Sequence, residues 1–226
     1  MDVEEAKRLA AERALLHLPE KGCVGLGTGS TVKYFIEGVA RAIKGGRELV
    51  GVATSEASRR LATSLGIPLL ADAGPWHPHV TVDGADEVSD TLDLIKGGGA
   101  AHTREKIVNY ASAKNIIVVD ETKLSRRLGE KWAVPVEVLP FGHETTRERL
   151  EVFGAPRLRE KNGAPVVTDS GNLLYDLAVQ PIAAPADLDR SLLEIPGVVS
   201  TGLFVARADL LIVAGATGVT EIGPPA

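Results

Sequence analysis

Cys23-Val24-Gly25-Leu26-Gly27-Thr28-Gly29-Ser30-Thr31, leading into a helical pattern from Val32 to Ile43, is the stretch on which the fold turns. An apolar strand runs into glycines and hydroxyls and leaves as a helix. Glycines let a backbone approach a ligand closely, hydroxyls add donors, and a helix N-terminus carries partial positive charge. That combination describes a phosphate cradle. The spacing is not the dinucleotide fingerprint, because Ser30 stands where its third glycine belongs, and no Gly-Lys-Ser/Thr follows to make a Walker loop. An ordinary strand-turn-helix corner with a Ser/Thr cap is the other reading of the same residues.

Outward from this unit, strands and helices alternate. A helix is expected over Glu4 to Leu18, strands over Leu49 to Ala53 and Ile67 to Leu70, and a helix between them from Ser55 to Leu65. Val80 to Val82 reads as a strand, Thr103 to Ser112 as a helix, and Asn115 to Asp120 as a fully buried strand. This rhythm predicts an α/β fold with a parallel, Rossmann-like sheet, whose ligands collect at the carboxyl ends of strands. Beyond about residue 130 the texture changes. Strands are expected at 132–138, 157–159, 166–168, 173–179 and 198–205, with helices at 145–153 and 186–193, before Leu210 to Val213 rejoins the main sheet. The expected organisation is therefore a main catalytic domain, 1–130 plus 205–226, with a smaller α+β lobe, 131–204, inserted in it.

Composition narrows the function classes. With 226 residues and 44% hydrophobic content the chain can bury a core, and its net charge of −5 argues against nucleic acid or an anionic membrane as partner. The single Cys23 excludes an internal disulfide framework, no apolar run suits a membrane span, and the charged amphipathic N-terminus is unlike a signal peptide, so a cytoplasmic location is expected. Scarce Gln, Asn, Cys and Met, with Arg in excess of Lys, point to a thermophilic source.

The chemistry concentrates in Asp83-Gly84-Ala85-Asp86-Glu87, Lys96-Gly97-Gly98-Gly99 and Thr103-Arg104-Glu105-Lys106. Asp83 and Asp86, in a tight turn after a strand, can aim two carboxylates into one cleft, and Lys96 supplies a compact cation beside a flexible backbone. Like charges raise a carboxylate pKa and a lysine lowers it, so one site can hold an acid and a base near neutrality. A capping aspartate plus a surface lysine is the bland alternative. Glu105 stands at a helix start, where the dipole alone favours a glutamate. Lys123 follows the buried strand at the ligand end of the sheet or is a solvated loop lysine. His77-Pro78-His79 lacks further ligands nearby and reads as a loop, so no metal is expected, and Thr168-Asp169-Ser170-Gly171-Asn172 reads as a turn.

Taken with Gly25 to Thr31 and Asp120-Glu121-Thr122-Lys123, these motifs resemble type A ribose-5-phosphate isomerase in order along nearly the whole chain. Echoes recur in Thr168 to Asn172 and Pro196 to Val199, while His102 replaces a residue more often aliphatic in that family. The resemblance implies an aldose-ketose isomerase acting on a pentose phosphate without a cofactor, as a dimer or tetramer. It implies Glu105 as the base between C1 and C2, and Asp83, Asp86 and Lys96 for ring opening and polarisation. It implies Thr28, Gly29, Ser30 and Thr31 for the phosphate, with Lys7, Gly97, Gly98, Gly99 and Lys123 as further substrate-binding candidates. Two other classes share such folds: non-catalytic sugar-phosphate sensors, and amino-sugar-phosphate isomerases or coenzyme A transferases.

Overall fold

A computed structural model describes residues 2–216 and 218–224. Helix α1 (Val3–Leu15) is followed by β1 (Lys21–Leu26), α2 (Ser30–Lys44), β2 (Glu48–Ala53), α3 (Glu56–Ser64) and β3 (Val80–Asp83). The short strands β4 (Glu87–Val88) and β5 (Leu94–Ile95) precede α4 (His102–Ala111), β6 (Asn115–Asp120), β7 (Val134–Val138), α5 (His143–Leu150) and β8 (Ala155–Leu158). Then come β9 (Glu160–Lys161), β10 (Ala164–Pro165), β11 (Leu173–Ala178), α6 (Pro185–Leu193), β12 (Val198–Thr201), β13 (Leu203–Phe204), β14 (Leu210–Gly215) and β15 (Gly218–Ile222).

Two compact units result. The first comprises Met1–Ala85, Arg104–Lys123 and Arg207–Ala226, the second Asp86–Thr103 and Leu124–Ala206. The boundaries expected from the sequence are 130/131 and 204/205; the second unit also draws in 86–103, 124–130 and 205–206. The reason is visible at Glu87, fully buried, whose carboxylate accepts the backbone N–H groups of Gly129, Glu130, Lys131 and Trp132 at 2.9–3.3 Å. A desolvated carboxylate needs such donors, and here they fasten the turn before β7 to β4.

The first unit is a six-stranded sheet in the order β2-β1-β3-β6-β14-β15, parallel except for the β14–β15 hairpin. Strand alternation sorts its side chains: Val24 and Leu26 join the main core with α1, α2 and α3 residues, while Cys23 turns to the other face against Val52 and Val108 of α4. All six residues of β6 are buried, as its apolar run predicts. Asp2 caps α1 by accepting from Glu5 N at 2.8 Å, and the helix buries Ala6, Ala10 and Ala14 at helical spacing, which lets it lie close on α2. The expected strand at 67–70 is reduced to one bridge, Gly51 to Leu69. The order reverses between β1 and β3, so the segments leaving those two strands flank a topological switch point, where open parallel sheets bind ligands.

The second unit holds a four-stranded antiparallel sheet, β12-β7-β11-β8, a three-stranded one, β13-β5-β4, and the β9–β10 hairpin. Val134, Val136 and Val138 of β7 pack with Leu150, Tyr175, Leu177 and Leu192. The single strand expected over 198–205 breaks at Gly202, so β12 and β13 belong to different sheets. A Cβ at Gly202 would stand 2.3 Å from the Lys96 carbonyl oxygen, and Lys96 N donates to Gly202 O at 2.8 Å. The piece expected as a strand at 166–168 contributes only a Val167–Leu173 bridge. Among the described residues no helix is long and apolar enough to cross a membrane.

Candidate active site

In the first unit the loop after β1 is built against the end of β3. Thr28 N and Gly84 N both donate to Asp83 Oδ1, at 2.9 and 2.8 Å, and Gly27 N donates to Val82 O at 3.0 Å. The close approach that Gly27 permits is therefore to Asp83: a Cβ there would stand 2.3 Å from Oδ1. Gly29 adopts φ +127°, a conformation that L side chains rarely reach, and no side chain caps α2. The first turn of α2 holds no acidic residue, so its positive end is uncompensated by its own helix, with Ser30 exposed and Thr31 buried at that end.

Three side chains that the sequence reading passed over brace this loop. Thr28 Oγ1 lies 2.8 Å from both Thr54 Oγ1 and Ser55 Oγ, and Ser58 Oγ donates to Gly27 O. Thr54, Ser55 and Ser58 are all buried. Ser55 also caps α3 through Ser58 N at 3.1 Å. The available signal was a second strand ending in hydroxyls, Thr54-Ser55 after β2, at a position equivalent to that of Thr28 after β1.

Glu105 occupies the first turn of α4 and is only 4% exposed. Its neighbour Arg104 donates to Glu56 at the start of α3, 2.9 Å away, and that hydrogen bond holds the Glu56 carboxyl below the usual carboxylate range. Lys123 closes the turn Glu121–Lys123 at the carboxyl end of β6, the strand beside β3. Lys7 lies on α1 with its Nζ 2.7 Å from Glu4.

Asp86, Lys96 and the three glycines belong to the second unit. Asp86 N donates to Ile95 O at 2.9 Å, and Asp86 Oδ2 accepts from Gly98 N at 2.7 Å. Lys96 is 3% exposed, with its ammonium 5.5 Å from the centre of the Phe204 ring, a cation–π distance. His102 is buried, with Nε2 3.5 Å from Ser200 O. Thr168 and Asn172, from the segment read as a turn, donate to the buried Glu137 carboxylate at 2.9 and 2.8 Å, and Thr103 does so too. The turn thus serves a buried network. Among the described residues no group of three or more His, Cys, Asp or Glu side chains is arranged to hold a metal ion.

Each unit thus carries an aspartate that accepts from backbone amides and a buried ionisable group, Asp83 and Glu105 in the first and Asp86 and Lys96 in the second. The family model described as ribose 5-phosphate isomerase A (phosphoriboisomerase A) matches residues 50–218. Relatives named ribose-5-phosphate isomerase A from Thermococcus kodakarensis and Deinococcus radiodurans are each 43% identical, over 98% of this chain and 99% of theirs. A solved D-ribose-5-phosphate isomerase in complex with phospho-erythronic acid is 40% identical with a TM-score of 0.95, covering 99% of this chain and 100% of that one. The corresponding enzyme of Methanocaldococcus jannaschii is 35% identical with a TM-score of 0.91, covering 97% and 99%. By fold, by sequence along its length and by the motifs that carry the buried charges, the chain belongs to the ribose 5-phosphate isomerase A family.

Proposed function

We propose that this chain interconverts D-ribose 5-phosphate and D-ribulose 5-phosphate through a cis-enediolate. The observation that carries the reading is the buried carboxylate of Glu105 at a helix start, in a chain whose relatives bear this enzyme's name. A pentose phosphate is mainly a furanose, so the open chain is released first. Asp83 and Asp86 move a proton from the O1 hydroxyl to the ring oxygen. Glu105 then takes the proton from C2, the electron pair forms the C1–C2 double bond, and negative charge develops on O1. Lys96 stabilises that charge. Glu105 then delivers a proton to C1 while the O2 proton passes to O1, leaving a ketone at C2. Thr28, Gly29, Ser30 and Thr31 hold the phosphate at the start of α2, with Lys7, Lys123 and the Gly97–Gly99 backbone as further contacts. Phospho-erythronic acid, named with one relative, is a phosphorylated polyhydroxy acid whose planar carboxylate resembles the enediolate.

The reading includes catalysis without a metal, a homo-oligomer in the cytoplasm, dimer or tetramer, and a thermophilic source. The test is isomerisation of ribose 5-phosphate by the purified chain after exhaustive chelation, with activity retained. Loss restored by one divalent ion would refute the metal-free mechanism, and no turnover in either state would refute the isomerase. Lys96→Ala should lower kcat more than it raises KM, since its interaction is strongest with the enediolate. A change confined to KM would make Lys96 a phosphate ligand instead.

A further inference from the structure

We propose that Arg159, paired with Asp176, is a positioning residue for this reaction: it fixes the peptide plane between Gly97 and Gly98 and thereby the carboxylate of Asp86. The inference rests on the isomerase reading above. A trans peptide points its C=O and N–H in opposite directions. On one side of this peptide Gly97 O accepts from Arg159 Nη1 at 2.7 Å; on the other, Gly98 N donates to Asp86 Oδ2 at 2.7 Å. Arg159 Nη1 also reaches Gly98 O at 3.2 Å.

The peptide needs such a clamp. Gly97 sits at φ +106°, and a glycine pair resists rotation of the plane between them less than any other residues would. If the plane turned, the N–H would leave Asp86. The guanidinium is held in turn by Asp176, which accepts from Nε at 2.9 Å and from Nη2, a two-pronged arrangement that aims Nη1 at the loop. A full positive charge on the carbonyl also polarises the peptide and strengthens its N–H as a donor to the aspartate. Arg159 therefore acts on Asp86 through one peptide.

Arg159, Asp176 and Gly98 line a cavity of about 570 Å3 together with Lys131, Trp132 and Arg157, so the clamp can be reached from solvent. This opens a chemical test. Arg159→Ala is expected to lower kcat roughly 10- to 100-fold, the scale for a misplaced catalytic group, while KM moves less than about two-fold. Methylguanidinium should restore part of the rate saturably, and methylammonium should not. Asp176→Ala added to Arg159→Ala should cost nothing further, because Asp176 acts through the arginine. Arg159→Lys keeps the charge without the fork and carries the test should the alanine variant not fold: its kcat should fall while its melting temperature stays near wild type. Wild-type kcat in Arg159→Lys, or a loss in Arg159→Ala that appears in KM and resists methylguanidinium, overturns the clamp. An inactive wild-type chain in the same assay overturns the isomerase reading instead.

Discussion

The loop Gly27–Thr31 is held by the Asp83 carboxylate, which accepts from Thr28 N, and by neutral hydroxyls packed behind it, whereas the loop Gly97–Gly99 is stretched between a carboxylate and a guanidinium. The difference follows from what each must present. A loop at the start of a helix offers an anion its open N–H groups and the helix dipole, and hydroxyls can stiffen it from behind without adding charge. The second loop ends shortly before α4 and uses full charges to set one peptide. The same habit runs through its unit, where Glu87 and Glu137 are buried carboxylates supplied with donors by backbone and side chains. The first loop should therefore respond to changes of shape, and the second to changes of charge.

The largest expected effect is at Glu105, a buried charge of the first unit proposed to take the C2 proton rather than to hold structure. Glu105→Gln keeps size and packing but cannot accept the C2 proton, so turnover should fall at least ~10²-fold while substrate still binds. Exchange of the C2 hydrogen with deuterated solvent should fall in parallel. A variant that isomerises and exchanges near the wild-type rate would move the base to Asp83 or Asp86.

Next is Glu87→Ala, which leaves four backbone N–H groups without their acceptor and should destabilise the fold by about 3 kcal/mol in urea titration. An unchanged midpoint would deny that buried charge supports the second unit. At the first loop the matching test is steric. Gly29→Val forces a β-branched residue into φ +127° and should weaken substrate and inorganic phosphate about 10-fold together. Unchanged phosphate inhibition would separate this loop from phosphate.

The smallest effect concerns Tyr175, buried in the second core, with its hydroxyl 2.8 Å from His143 Nδ1. Burial, helped by Glu144, pushes its phenol up to about 12. An unfolded tyrosine ionises near pH ~10, so between those values the folded chain retains a proton that the unfolded chain has lost. The stability contributed by Tyr175 is complete below about pH 10 and declines as pH rises toward 12. Tyr175→Phe should flatten that alkaline decline in urea titrations; an identical slope in both proteins would assign it elsewhere.

Local pattern carried the α/β rhythm. The apolar run of β6, the glycine-hydroxyl corner between β1 and α2 and the acidic turn after β3 could be read in order, because each is written in neighbouring residues whose period or turn chemistry is specific. The resemblance then singled out Glu105, which a helix-start glutamate alone does not. Contacts across long separations were another matter. Nothing near Arg159 in the chain marks it as the partner of Gly97, 62 residues away, and nothing near Glu87 announces the amides of 129–132. The break at Gly202 was equally hidden, since 198–205 reads as one apolar strand until the Lys96 carbonyl occupies the space a side chain would need. Strands and turns follow from short-range sterics and hydrophobic periodicity. Which buried charge finds which donor depends on the chain having already folded those distant segments together.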